Sequence, residues 1–212
     1  KNNITTVAME STGTYWQNLF SELQAVGLEV ILANGKFTKN IKGKKTDVLD
    51  CMWIQKLHSL GMLSGSFLPD SSTEKLRTYC RHRAGLIETA AIHSHKMQKY
   101  LRLLNFRLDV VVKDICGQTG LAIIEQICKG ETDSGALATL RHGNCKKSKQ
   151  EISKALQTNA REDYIFGLKQ EYELYKIIQK KIVECDKEIS KQINANLRST
   201  PEKLRHKIKE KV

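Results

Sequence analysis

Apolar residues gather at Ile4–Met9 and again at Leu28–Ala33, and between them Tyr15, Leu19, Phe20, Leu23 and Val26 recur at helical spacing. Short apolar runs bounded by turn residues predict strands, and the recurrence between them predicts a helix. The first strand ends at Glu10, Ser11-Thr12-Gly13 forms a turn, Gly27 stops the helix and Asn34-Gly35 closes the second strand. Strand, helix and strand in that order predict a βαβ unit with parallel strands. A polar basic loop, Lys36–Lys45, comes next. It leads into a helix over Asp47–Leu60, with Thr46 as its N-cap and Gly61 as its stop.

Pro69 marks a boundary, and Ser71-x-x-Glu74 has the form of a capping box. Helical patterning then continues to about Asn105, roughly 50 Å of helix at 1.5 Å per residue. Residues 109–160 predict short helices joined by turns at Gly117, Gly120, Gly130, Gly135 and Gly143, with a second capping box at Ser148-x-x-Glu151. A last long helix covers Arg161–Asn196. Its apolar positions are Ile165, Leu168, Tyr172, Tyr175, Ile178, Ile182, Cys185, Ile189 and Ile193, the seam of a coiled coil or helix hairpin. Pro201 opens a basic tail.

Charge adds a statement about partners. The 212 residues carry 35 Lys and Arg against 23 Asp and Glu, a net charge of +12. Such a surplus favours nucleic acid, whose phosphates need cationic contacts. No run reaches the ~18 apolar residues of a spanning helix, and Lys1–Glu10 lacks the apolar stretch of a signal peptide. The six cysteines form no C-x-x-C pair, which predicts reduced thiols rather than a disulfide framework or a zinc site. His93 and His95 are two apart and point to different faces of a helix, a poor metal pair.

Three acids are candidates for chemistry. Glu10 sits past the C-terminal end of a strand, where open α/β sheets place ligands. Asp47 and Asp50 are three apart, so a helix presents both on one face. Clustered carboxylates suit a hard divalent ion, and two such ions can clamp a phosphodiester. Each acid also has a plainer reading: Asp47 favours a helix dipole, Asp50 is a surface charge and Glu10 solvates a loop. Gly35-Lys36-Phe37-Thr38 lacks the first glycine of a phosphate loop, because residue 30 is Val30. Between Glu74 and Arg107 the cations Arg77, Arg81, Arg83, Lys96, Lys99 and Arg102 face few acids within the segment, and such one-signed charge favours phosphate contact. The apolar stripe Leu76, Leu86, Ile87, Met97, Leu101 and Leu104 reads as core.

The run Val7-Ala8-Met9-Glu10-Ser11-Thr12-Gly13-Thr14-Tyr15-Trp16, followed by Gly43-Lys44-Lys45-Thr46-Asp47-Val48-Leu49-Asp50, resembles the DEDD insertion-sequence transposases related to the pilin-gene invertases. Those proteins have E-(A/S)-T-G after a strand and then K-T-D-x-x-D. Leu76–Leu104 resembles their Arg-rich helix, Gly117-Gln118-Thr119-Gly120 a G-x-(S/T)-G turn, and Lys147–Leu156 a K-x-S-x-x-E-I helix start. The resemblance implies an α/β, RuvC-like (RNase H-like) catalytic domain followed by an all-α extension with a long coiled-coil helix.

On that basis residues 1–68 are expected to be a partial catalytic domain, and residues 69–108 a basic helix completing it. Residues 109–160 then form a small helical region, 161–198 the coiled coil and 199–212 a tail or linker. Glu10, Asp47 and Asp50 would be three of the four catalytic carboxylates and would hold Mg²⁺ or Mn²⁺. Lys44, Lys45, Arg77, Arg81, Arg83, Lys96, Lys99 and Arg102 would contact nucleic acid. The implied partners are DNA, a structured guide RNA and a second copy through the coiled coil, in a cytoplasmic, nucleoid-associated protein without membrane contact. The family's first Asp lies on a strand ahead of Glu10, yet no acid precedes Glu10 here, and Ser199 matches no nucleophile motif. The chain alone is therefore expected to cut nothing, and a nucleic-acid-binding remnant is the alternative reading.

Overall fold

The computed structural model describes residues 3–11, 13–38 and 46–199, which form two units, Lys1–Pro69 and Asp70–Val212. In the first, β1 (Thr6–Glu10) and β2 (Glu29–Ala33) are parallel, from Thr6 opposite Glu29 to Glu10 opposite Ala33, and α1 (Tyr15–Ala25) crosses between them. Gly27 ends α1 with φ of +85°, a conformation open to glycine at little cost. The expected basic loop begins instead with one helical turn, α2 (Gly35–Thr38), started by Asn34, whose Oδ1 accepts the Lys36 N–H at 2.9 Å. A side-chain acceptor two residues back replaces the missing helical partner, so the turn forms in a polar segment. Next, α3 (Asp47–Ser59) packs on β1 and is tied to it by Thr6 Oγ1 and His58 Nε2 at 2.9 Å. Thr46 caps α3 as expected, its side chain accepting the Leu49 N–H. Among the described residues, Phe20, Leu32 and Leu57 are the large side chains this unit buries.

The second unit is helical. Its long members are α4 (Ser71–Leu103) and α9 (Glu162–Ser199). Between them come α5 (Leu108–Val111), α6 (Gln118–Cys128), α7 (Ser134–Thr139) and α8 (Lys149–Ala155). The contacts Arg83–Asp186, His93–Glu171 and Gly167–Tyr100 show that α4 and α9 run antiparallel. Leu168, Tyr172, Tyr175 and Ile182 of the predicted seam are buried, and the partner is α4 of the same chain. The buried part of the seam is thus covered within the chain, the helix-hairpin outcome of its spacing. Ile87 and Ile193, assigned to apolar stripes from spacing, are exposed.

At the closed end, α4 stops at Leu104, and Asn105 takes φ of +61°. The Phe106 N–H returns to the Leu101 carbonyl and the Asn105 N–H to that of Arg102. Phe106 and Leu101 are buried together there, the apolar contact that accompanies such a helix end. Thr158 and Asn159 donate to the remaining carbonyls of Leu104 and Leu103, so the entry to α9 caps the exit of α4. Two local expectations change. The N-cap of α4 is Asp70, one residue before Ser71; its carboxylate accepts the Thr73 N–H and two hydroxyls, more than a serine can. Gly120 and Gly135 lie inside α6 and α7, not in turns, whereas the Ser148–Glu151 capping box is present.

Asp109 of α5 is half-buried and receives two hydrogen bonds from Arg102 of α4, with Arg107 3.8 Å away. Burial raises its carboxyl, but the Arg102 hydrogen bond and the two guanidinium charges outweigh that and hold it below the ordinary carboxylate range. A carboxyl lowered in this way contributes stability above its unfolded-state pKa, and loses it as pH falls through the folded value. Arg102→Gln is therefore expected to cost about 1 kcal/mol at neutral pH and to make the acid limb of the stability profile shallower, by urea melts at several pH values. A methyl at Gly120 would overlap the Ile115 backbone carbonyl, whereas one at Gly85 in α4 meets nothing within 4 Å. Gly120→Ala is thus expected to destabilise by about 2–3 kcal/mol, and Gly85→Ala to stabilise by about 0.5–1 kcal/mol, in the same melts.

Candidate catalytic carboxylates and nucleic-acid interface

Glu10 closes β1, and the chain stays in sheet register past it, the Ser11 N–H donating to the Ala33 carbonyl at 2.9 Å. Its side chain folds over the start of α2. A Cβ built on Gly35 would stand 2.5 Å from Glu10 Oε1, so the carboxylate occupies the room that the missing side chain leaves. Gly35 is the residue sequence reasoning missed. In sequence it reads as a strand stop and as part of an incomplete phosphate loop, and no pattern along the chain announces that a carboxylate from another element will rest on it.

Asp47 opens α3 and Asp50 follows three residues later, both in its first turn. Asp47 is exposed and Asp50 half-buried, its N–H closing the first helical hydrogen bond to the Thr46 carbonyl. Both carboxylates sit at the positive end of the helix dipole, which tolerates anions there. The Thr46 cap fixes the helix start and thereby their spacing. A hydrated Mg²⁺ takes one or two carboxylates and completes its shell with water or phosphate. Asp47 and Asp50 match that partial set. Among the described residues, however, no three His, Cys, Asp or Glu side chains are grouped to hold a metal ion, so Glu10 does not join the pair in a ready three-ligand site. Lys44 and Lys45 lie outside the described residues.

The cations of α4 divide. Arg77 pairs with Glu74, Arg83 with Asp186, Lys96 with Glu171, and Arg102 with Asp109. His93 also meets Glu171, at 2.5 Å. Arg81 and Lys99 are exposed, and no ion pair to either occurs among the described residues. The one-signed charge along this segment is thus partly answered by acids from α5 and α9, which the segment alone does not show. Pairs such as Arg83–Asp186 stay solvent-accessible, hold their partners weakly and can exchange them.

Among the described residues, no helix is long and apolar enough to cross a membrane. Neither the curated proteins nor the solved structures compared with this chain give a match. A family model described as a transposase, that of the IS110-type DEDD enzymes, matches residues 1–106. That is half of the 212 residues, and the stretch carries Glu10, Asp47, Asp50 and all of α4. The chain belongs to the IS110-type DEDD transposase family.

Proposed function

We propose that this chain contributes to DNA transposition by acting on DNA phosphodiesters through Asp47, Asp50 and Glu10, within a RuvC-like domain. The observation that carries the reading is the pairing of Asp47 and Asp50 on the first turn of a helix whose start Thr46 fixes. The cation in view is Mg²⁺ or Mn²⁺, which would supply electrophilic stabilisation of the phosphate when bound. The chain's own residues do the rest. Asp47 and Asp50 offer oxygens at a set spacing, and Glu10 supplies a third carboxylate, seated over Gly35. His58, near the end of α3 away from Asp47, bonds to Thr6 at the start of β1, which ties the helix carrying Asp47 and Asp50 to the strand that ends in Glu10.

A second reading, a chain that binds nucleic acid and cuts nothing, is favoured by the lack of a three-ligand group among the described residues. Under both readings the protein acts on DNA in the cytoplasm, and a structured guide RNA is a second nucleic-acid ligand to be tested beside it.

Two measurements on the 212-residue chain separate these readings. Mn²⁺ binding followed by electron paramagnetic resonance is expected to weaken at least about tenfold in Asp47→Asn/Asp50→Asn, a loss of about 1.4 kcal/mol. Unchanged Mn²⁺ affinity removes the pair from the site. Nicking of supercoiled DNA by this chain, lost in Asp47→Ala, supports the enzyme and overturns the expectation that the chain alone cuts nothing, whereas DNA binding with no nicking and with Mn²⁺ affinity unchanged in the pair variant supports the binding module. Gly35→Ala displaces the Glu10 carboxylate, so it is expected to reproduce the effect of Glu10→Gln on Mn²⁺ affinity while leaving the melting temperature nearly unchanged.

A further inference from the structure

Lys169, Lys176, Lys180, Lys187 and Lys191 occur along α9 at steps of seven, four, seven and four, and Arg198 follows after another seven. At about 100° per residue these steps return to one direction, so all six side chains fall within about 60° of arc. The five lysines span about 33 Å of helix axis. All are exposed, because the row lies about 130° around the helix from the buried Leu168, Tyr175 and Ile182. Its N-terminal part borders a cavity of about 630 Å³ between α6 and α9, where Lys129 joins Lys169, Lys176 and Lys180.

Three acids near the row are paired. Glu125 is paired with Lys129 at 3.1 Å, Glu184 with Lys181 at 2.8 Å, and Glu188 with Lys191 at 3.7 Å. Glu173 is the acid within the row itself. Lys176 lies over the Tyr172 ring at 5.2 Å and Lys191 is paired, whereas Lys169, Lys180 and Lys187 stand in the same line on the outer face with no ion pair among the described residues. Like charges spaced about 6 and 10 Å apart repel one another until an extended polyanion neutralises them.

We propose that this face of α9 is a rail for the phosphate backbone of duplex DNA. The inference rests on the DNA reading above, and it moves the main electrostatic contact from α4, whose cations are largely paired, to α9. Duplex DNA fits because it carries one charge per ~1.7 Å of axis and, with a persistence length of ~50 nm, stays straight along a 33 Å row. Lysines in such a row position the duplex and read no bases.

The test is fluorescence anisotropy of the 212-residue chain with a duplex of about two helical turns, at several salt concentrations. Lys176→Gln/Lys180→Gln/Lys187→Gln is expected to reduce the slope of log affinity against log salt by about 2.7 units, at ~0.9 per lost phosphate contact. A charge-matched control, Lys113→Gln/Lys149→Gln/Lys154→Gln, removes exposed lysines outside α9 and is expected to leave the slope near that of the parent. Equal slopes for the two variants, or no change in either, overturn the rail. So does a change confined to a guide-like RNA probe with duplex binding intact. Should the triple variant not fold, by circular dichroism, Lys180→Gln alone takes its place with an expected change of about one unit. Mn²⁺ affinity is read on the same variants. An intact slope effect with no Mn²⁺ binding at Asp47 and Asp50 rejects the site reading alone, and the converse rejects the rail alone.

Discussion

The antiparallel packing of α4 against α9 is the contact on which the helical unit depends. Met97, Leu101, Leu104 and Leu168 are almost wholly buried at its closed end, and there the short helices add Phe106, Leu108, Ile123, Ile124, Ile127, Leu137, Ile152 and Leu156. Isolated helices of four to eleven residues are marginal in water. α5 to α8 therefore hold their shape because the long pair gives them a surface to cover. The same packing brings Asp186, Glu171 and Asp109 to the cations of α4, so hydrophobic burial decides which charges remain for a partner.

The first unit has the opposite balance. A parallel pair of strands normally needs cover on both faces. Here every residue of β1 is half-buried, while Tyr15, Val26 and Phe67 are 88%, 73% and 86% exposed. The carboxylates sit in this lightly buried unit. What fixes them is local: a threonine cap for Asp47 and Asp50, and the absence of a side chain at Gly35 for Glu10. Local devices set the position of each group on its own element. They do not by themselves bring elements together, which is why the spacing of Asp47 and Asp50 is sharp while the relation of Glu10 to them is not.

How much could be read from residues follows the same division. The Thr46 cap and the Ser148–Glu151 box depend on neighbours within a turn, and the βαβ order and the α9 seam on periodicity within each element; each is present, the seam with Ile193 left exposed. Where two adjacent residues competed for one role, Ser71 and Asp70, the stronger acceptor took the cap. A one-turn helix at Gly35 was hidden in a polar run, because no apolar period can appear in four residues. Gly120 read as a turn residue, yet it serves the close approach of the Ile115 carbonyl, a contact that exists only once α6 packs. Glu74 answers Arg77 from within α4, but the acids of α5 and α9 lie from 7 to 103 residues away in sequence, and those of α9 are beyond any local window.

Two periodicities on one helix then shape its surface. The seam residues Leu168, Tyr175, Ile182 and Ile189 repeat every seven, and on a 3.6-residue helix each step falls back about 20°. The lysine row repeats every eleven and advances about 20°. Lys169 thus stands about 100° from Leu168, and Lys191 about 160° from Ile189 around the far side. Along α9 the charged row drifts from the flank of the hairpin, beside Lys129 and α6, to its back, where α4 is farthest away. A heptad seam favours a gentle left-handed wrap of α9 on α4, and that wrap carries the row across the outer surface as an oblique line. An oblique cationic line can follow a duplex strand that itself climbs around its axis, whereas a row locked to the seam's own period would keep a constant bearing to the hairpin. The sequence can serve both demands because apolar and basic residues occupy different sectors of the same helix and need not share a repeat.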